Sequence, residues 1–161
     1  VEYFMRTAST NKTVIVEHSA NFSTYRGGFI AVLNEFNPGQ IESGVSMPGV
    51  STFNIDSTAS NAVSDGMWHH VALVYDPAKS GDNRVRVYLD SIQQGKRVAG
   101  SNISDSDTFF LNDFLFIGMR ENDSVKFIGE LDDIKITGAV LTPSEFMEKR
   151  SYYGGSILML Q

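Results

Sequence analysis

Short runs of β-branched and aromatic residues recur along the chain, each closed by Gly, Asn, Asp, Ser or Pro, and helical periodicity is nearly absent before residue 142. This pattern predicts strands over residues 2–6, 13–18, 28–33, 40–46, 51–55, 67–75, 84–90, 93–98, 108–111, 115–118 and 127–137. Asn37-Pro38-Gly39, Pro48-Gly49, Asp65-Gly66 and Ser80-Gly81-Asp82-Asn83 carry turn chemistry between them. Within 84–90, Val85, Val87 and Leu89 fall on one face and Arg84, Arg86 and Tyr88 on the other. Residues 67–75 are apolar on both faces, which predicts a central strand covered from both sides. Many strands and almost no helix predict an all-β sandwich or barrel. One short helix is expected near 143–150, with Thr142 and Glu145 as a capping box, Pro143 at the first helical position and Lys149 and Arg150 at the far end.

The composition narrows the function. With 42% hydrophobic and 20% charged residues in 161, the chain is neither a disordered tail nor a bundle of membrane spans, and its longest apolar runs fall far short of the ~20 residues a span needs. Thirteen basic against 19 acidic residues give a net charge of −6, which makes nucleic acid and anionic membrane poor partners. A neutral or cationic ligand, or a divalent metal, suits that field better. The absence of cysteine removes thiol nucleophiles, thiolate zinc sites and disulfide scaffolds. No repeat or second composition regime divides the chain, so one domain over 1–161 is expected, with the apolar stretch in 154–161 as an extra strand or a linker. The start at Val1, without Met or a signal-peptide pattern, is that expected of a piece cut from a longer precursor.

Three segments in order carry a family likeness: Asp65-Gly66-Met67-Trp68-His69-His70-Val71-Ala72, then Val85-Arg86-Val87-Tyr88-Leu89-Asp90, then Phe127-Ile128-Gly129-Glu130-Leu131-Asp132-Asp133-Ile134 leading into Leu141-Thr142-Pro143-Ser144-Glu145. Together they resemble the laminin-G-like, concanavalin-A-like jelly-roll domains of surface and carbohydrate-processing proteins. Glu2-Tyr3-Phe4-Met5-Arg6-Thr7 is similar to an early strand of that family. The resemblance implies an antiparallel jelly-roll sandwich of two packed sheets, with ligands on the concave face or at the loop rim. Two departures stand out. The one or two strands that precede the early strand in the family have no counterpart here. Ser91 stands where the family hairpin carries Gly, which implies a different turn.

The chemistry-bearing residues divide accordingly. His69 and His70 are adjacent on a strand and point to opposite faces, so they do not chelate one metal together, and His18 lies on a distant strand. The plain reading makes Trp68 a core residue and the histidines hydrogen-bonded structural groups. Glycosidases need two carboxylates flanking one bond. Neither Glu121-Asn122-Asp123 nor Glu130-Leu131-Asp132 matches the acidic strand motif of the hydrolases that share this fold, so no enzyme is expected. Asp132 shares strand parity with Ile134 and Ile136, which would aim it at the core, where a carboxylate needs a partner. The resemblance makes Asp132, with its neighbour Asp133, a candidate calcium site; the alternative is a carboxylate that pins loops by accepting backbone N–H bonds.

For sugar recognition, which uses aromatic planes and planar polar groups, the candidates are Arg86 and Tyr88 on the concave surface and Tyr25, Arg26, Phe36, Arg120 and Asn122 in loops. Four Asn-x-Ser/Thr triplets, at Asn11, Asn21, Asn102 and Asn122, matter only in a secreted eukaryotic protein. The reading is a non-catalytic carbohydrate-binding module of a larger extracellular or surface protein, with calcium stiffening its rim. Its partners would be a glycan or polysaccharide and neighbouring domains of the parent, not nucleic acid and not a membrane interior. Two rivals stand beside it. One is a structural or adhesive module of a surface or viral assembly, which pairs through 156–160 or through an open edge beside residues 2–6. The other is a glycoside hydrolase or lyase.

Overall fold

Backbone N–H and C=O groups in an all-β chain find partners only between strands, so strand order decides which side chains meet. The computed structural model describes residues 1–18, 28–46, 53–79, 84–94, 96–97, 114–120 and 125–148. In chain order its strands are β1 (Glu2–Arg6), β2 (Thr13–His18), β3 (Gly28–Leu33), β4 (Ile41–Ser46), β5 (Phe53–Ser57), β6 (Trp68–Tyr75), β7 (Val85–Leu89), β8 (Ile92–Gln93), β9 (Lys96–Arg97), β10 (Leu115–Ile117) and β11 (Glu130–Lys135). They form two antiparallel sheets, one in the order β11-β1-β6-β7-β8 and the other β10-β2-β3-β4-β5-β9. This is the two-sheet jelly-roll sandwich that the alternation and the motifs imply. Among the described residues no helix is long and apolar enough to cross a membrane.

The core lies between the sheets. Tyr3, Met5, Val71, Leu73, Val85 and Val87 of the five-stranded sheet meet Ile15, Val16, Phe29, Ala31, Leu33, Ile41 and Val45 of the six-stranded one. Burial pushes the Tyr3 phenol well above its ordinary range and keeps it neutral opposite Ser43. Strand β6 is central, as its two apolar faces predict: Val71 and Leu73 face the core, while Ala72 and Val74 pack with Tyr88, Leu141 and Phe146 on the outer face.

Phe146 belongs to the segment expected to be helical. Residues Pro143–Glu145 make one 3₁₀ turn, and the backbone is extended again at Phe146 (φ −68°, ψ 158°). The start signal operates: the Glu145 carboxylate accepts from the Thr142 N–H at 2.8 Å and from its hydroxyl at 2.7 Å. So short a helix is marginal in water. Leaving the helical path instead seats the Phe146 ring 5.0 Å from Tyr88, edge to face, and 5.7 Å from His70. Lys149 and Arg150, like the strand expected at 108–111 and the tail at 154–161, lie outside the described residues.

Three further expectations change. Residues 93–98 hold no single strand: β8 closes the five-stranded sheet and β9 pairs with β5 in the other. The edge beside β1 is occupied by β11, so no open edge remains there for strand addition. Finally, β11 carries a bulge, with Phe4 opposite Asp132 but Glu2 opposite Lys135, and with Asp133 at φ +47°. The extra residue reverses the parity. Leu131 and Ile134 both face the core, and Asp132 faces outward beside Phe4 rather than inward with Ile134.

The hairpin at Ser91 is tight. Leu89 pairs with Ile92 across a two-residue loop in which Asp90 (φ +49°) and Ser91 (φ +67°) both adopt positive φ, the signature of a type I′ hairpin. Serine there bears a steric cost that glycine escapes, about 1–2 kcal/mol, offset in part by the flexibility glycine adds to the unfolded chain. Ser91→Gly is therefore expected to stabilise the fold by about 0.5–1 kcal/mol in urea melts. Ser91→Ala, which keeps the Cβ, should give no such gain.

Candidate functional site

The register that orders the sheet also assembles a site at one end of it. Strand β1 ends at Arg6, which pairs with Trp68 at the start of β6 and with Glu130 at the start of β11. The three side chains form a row on the outer face. The Arg6 guanidinium bonds Glu130 Oε1 at 2.5 Å and lies 5.4 Å from the centre of the Trp68 ring. Arg6 and Glu130 keep 43% and 53% of their side-chain surface exposed, so their free edges are available to a ligand. Beside them runs a shallow groove of about 540 Å³, bordered by Ser9, Asn11, Ile128 and the backbones of Gly66 and Gly129. Gly129 (φ +155°) is needed there, because a Cβ would come within 2.4 Å of the Arg6 carbonyl oxygen. At the opposite end, a cleft of about 330 Å³ is lined mainly by apolar groups such as Val1, Phe29, Leu73, Ile136 and Val140, which offer hydroxyl-bearing ligands little.

The groove's walls are fixed by buried polar side chains. Thr7 is buried; its hydroxyl donates to the Ile128 carbonyl at 2.6 Å and accepts from the Ser9 N–H at 3.0 Å, and its carbonyl accepts from the Gly66 N–H at 2.9 Å. Asn34, at φ +61°, reaches across from the end of β3: Nδ2 donates to the Ser9 and Asn11 carbonyls at 3.1 and 2.7 Å, and Oδ1 accepts from the Gly39 N–H at 2.6 Å. The Ser64 hydroxyl adds a bond to the Ser9 carbonyl at 2.8 Å. Three loops are tied together by these side chains, so the groove exists before any ligand arrives.

Each histidine is held by side-chain contacts. His69 is held at the rim between Asp90, 2.8 Å from Nδ1, and Asp65, 3.2 Å from Nε2. Partial burial raises the Asp65 carboxyl, but the Met67 N–H and His69 outweigh it and hold the group below its ordinary value. His70 points to the outer face, where Nε2 lies 3.2 Å from Glu2 Oε2 under Phe146; His70 and Glu2 are only 2% and 3% exposed. Glu2 Oε2 also accepts from the Met147 N–H at 2.7 Å. A carboxylate and an imidazole in contact could exchange a proton, but these two are sealed from substrate. His18 stacks on Phe29 with ring centres 5.6 Å apart.

The described residues among those expected to bind ligand, Arg86, Tyr88, Phe36 and Arg120, do not converge. Tyr88 occupies the predicted face but is 5% exposed beneath Phe146, so its ring is not an open platform. Arg86, beside it, bonds Asp76 at 3.2 Å. Arg120 bonds Glu17 at 3.0 Å from the other sheet, while Phe36 is exposed on the loop that Asn34 anchors. Tyr25, Arg26 and Asn122 lie outside the described residues. At the β11 bulge the Asp133 N–H donates to Asp132 Oδ1 at 2.8 Å. Calcium takes about six to eight oxygens, and among the described residues no group of three or more His, Asp or Glu side chains gathers to hold a metal.

The sequence reading does not bring Arg6, Trp68 and Glu130 together: it weighs Glu130 only in an acidic motif and places Trp68 in the core, whereas Trp68 is half-buried at the rim. Arg6 and Glu130 are 124 residues apart, and only the strand order joins them. The one signal available was parity, since Glu2, Phe4 and Arg6 share a strand face.

Two measurements probe this region. Asn34→Ala leaves buried backbone groups without partners and is expected to cost about 1–3 kcal/mol in denaturant melts. Burial holds the His70 imidazole below its ordinary value against the pull of Glu2, so the unfolded chain takes the proton more readily. Stability from this group is full above about pH 6.5 and is lost as pH falls toward the lower native value. The melting temperature should drop between pH 7 and pH 5, with a shallower slope in His70→Gln.

Residues 1–146 match the laminin G 3 family model, described as the concanavalin A-like lectin/glucanases superfamily. No curated protein matches the sequence at a significant level. Among solved structures, the mouse laminin α1 chain, domains LG4-5, superimposes with a TM-score of 0.50 at 16% identity, over 80% of this chain and 30% of that one. The sandwich, its motifs and the family match over nearly the whole chain agree: this chain belongs to the laminin-G-like branch of the concanavalin A-like superfamily.

Proposed function

We propose that this chain is a non-catalytic glycan-binding module of an extracellular or surface protein, and that it recognises its ligand at the groove beside Arg6, Trp68 and Glu130. The observation that carries the reading is the Arg6–Glu130 pair held over the Trp68 ring beside a groove whose walls are already fixed. Trp68 covers one face of the guanidinium and sets its plane, Arg6 donates to ligand oxygens, Glu130 accepts from hydroxyls, and Ile128 offers apolar contact to C–H groups. Preorganisation lowers the ordering cost of binding, and several copies in a parent protein would raise weak single-site affinity through multivalency.

Among the described lining residues Glu130 is the one carboxylate, and it is tied to Arg6. A glycosidase needs two flanking the scissile bond, which favours binding over hydrolysis. The calcium expected at Asp132 and Asp133 plays no part in this reading, so binding should be equal in calcium and in chelator.

A second reading, a structural or adhesive module, is favoured by one feature: the edge strand β10 presents Leu115 and Ile117 to solvent, and Phe114 just before it is 76% exposed. A stable oligomer in size-exclusion chromatography without glycan binding would favour that reading.

Glycan-array screening of the full chain tests the proposal. Binding is expected, and Arg6→Ala should weaken it at least tenfold while shifting the melting temperature little, because exposed ion pairs contribute about 0–1 kcal/mol. Failure to bind any glycan, or binding indifferent to Arg6→Ala, refutes the assignment.

A further inference from the structure

We infer that this groove selects neutral sugars that present a vicinal diol and discriminates against sulfated and uronic glycans. The inference rests on the glycan-binding reading above and specifies its ligand class. It follows from how the charges at this end are already committed. The Arg6 guanidinium bonds Glu130, and Lys12 pairs with Glu35. Asp65 and Asp90 flank His69 at the same end, within a chain of net charge −6. An anionic group arriving here meets a cation whose charge is matched and a field of its own sign.

The hydrogen-bonding inventory leads the same way. A guanidinium only donates and a carboxylate only accepts, whereas a hydroxyl does both. Arg6 and Glu130, locked side by side, present a donor next to an acceptor. One hydroxyl of a diol accepts from Arg6 while its neighbour donates to Glu130, and the ion pair stays intact. A sulfate or carboxylate has acceptors alone. It can accept from the free edge of Arg6, but its next oxygen then faces the Glu130 carboxylate without a proton between them. Thus Glu130, which would be an ordinary surface partner in a structural reading, acts here as a selectivity residue.

The test is affinity electrophoresis of the full chain against neutral polysaccharides (mannan, galactan, glucan) and against heparin and polygalacturonate, at 50 and 500 mM NaCl. The expected result is retardation by at least one neutral polymer, with affinity changing less than twofold between the two salts, because no net charge is neutralised on binding. The acidic polymers should bind at least tenfold more weakly. Glu130→Gln should weaken neutral binding several-fold and strengthen retention on heparin, since it releases the Arg6 charge; a structural Glu130 would move neither. Salt-sensitive, Arg6-dependent binding of wild type to heparin or polygalacturonate would overturn the selectivity and leave the glycan-binding reading standing. Absence of binding to every polymer would overturn both.

Discussion

Strands β1 and β6 are buried on both faces, and most of this molecule follows from that constraint. Their inner residues, Tyr3, Met5, Val71 and Leu73, close the core against the six-stranded sheet. Their outer residues, Phe4, His70 and Ala72, are sealed by the segment that brings in Leu141 and Phe146. A carboxylate within such a layer must be matched, since desolvating an unpaired charge is far too costly. Glu2 is matched from three elements: by His70 on β6, by Lys135 on β11 at 3.6 Å and by the Met147 N–H of the covering segment. The outer face of the five-stranded sheet is thereby closed over Phe4, His70 and Ala72.

At one end of the sheet, buried polar side chains hold a polar site in place. Thr7 and Asn34 are small side chains that satisfy several backbone groups each, so three loops share their anchoring. Buried polar groups that are fully bonded specify one arrangement, and here that arrangement positions Arg6 against Trp68 and Glu130. The shared architecture with the laminin α1 domains, at 16% identity, is a likeness of fold alone. A shared fold does not by itself decide what is recognised.

The parts of this structure legible in the sequence are those governed by local rules. Strands β1, β2 and β3 fall at their expected bounds because period-two alternation and flanking turn residues agree there. The two-faced character of β6 placed it at the sheet centre. What was hidden depends on distant partners. The capping box at Thr142 is real, but whether a helix continues past it is decided by Phe146 finding Tyr88, some 58 residues earlier. The parity argument for Asp132 is sound for a regular strand and fails at the Asp133 bulge, which nothing local announces. Tyr88 was assigned its face correctly, yet its burial depends on what crosses above it. The Arg6–Trp68–Glu130 row cannot be read without the order β11-β1-β6.

The bulge on β11 has a wider consequence. This strand forms the border of the five-stranded sheet, and it carries Glu130, Asp132, Asp133 and Lys135 around an irregular backbone. A foreign β-segment approaching that border would find mismatched hydrogen-bond spacing and like charges instead of a flat template. Side-by-side joining of copies is consequently discouraged at this border, in contrast to the apolar β10 edge of the other sheet.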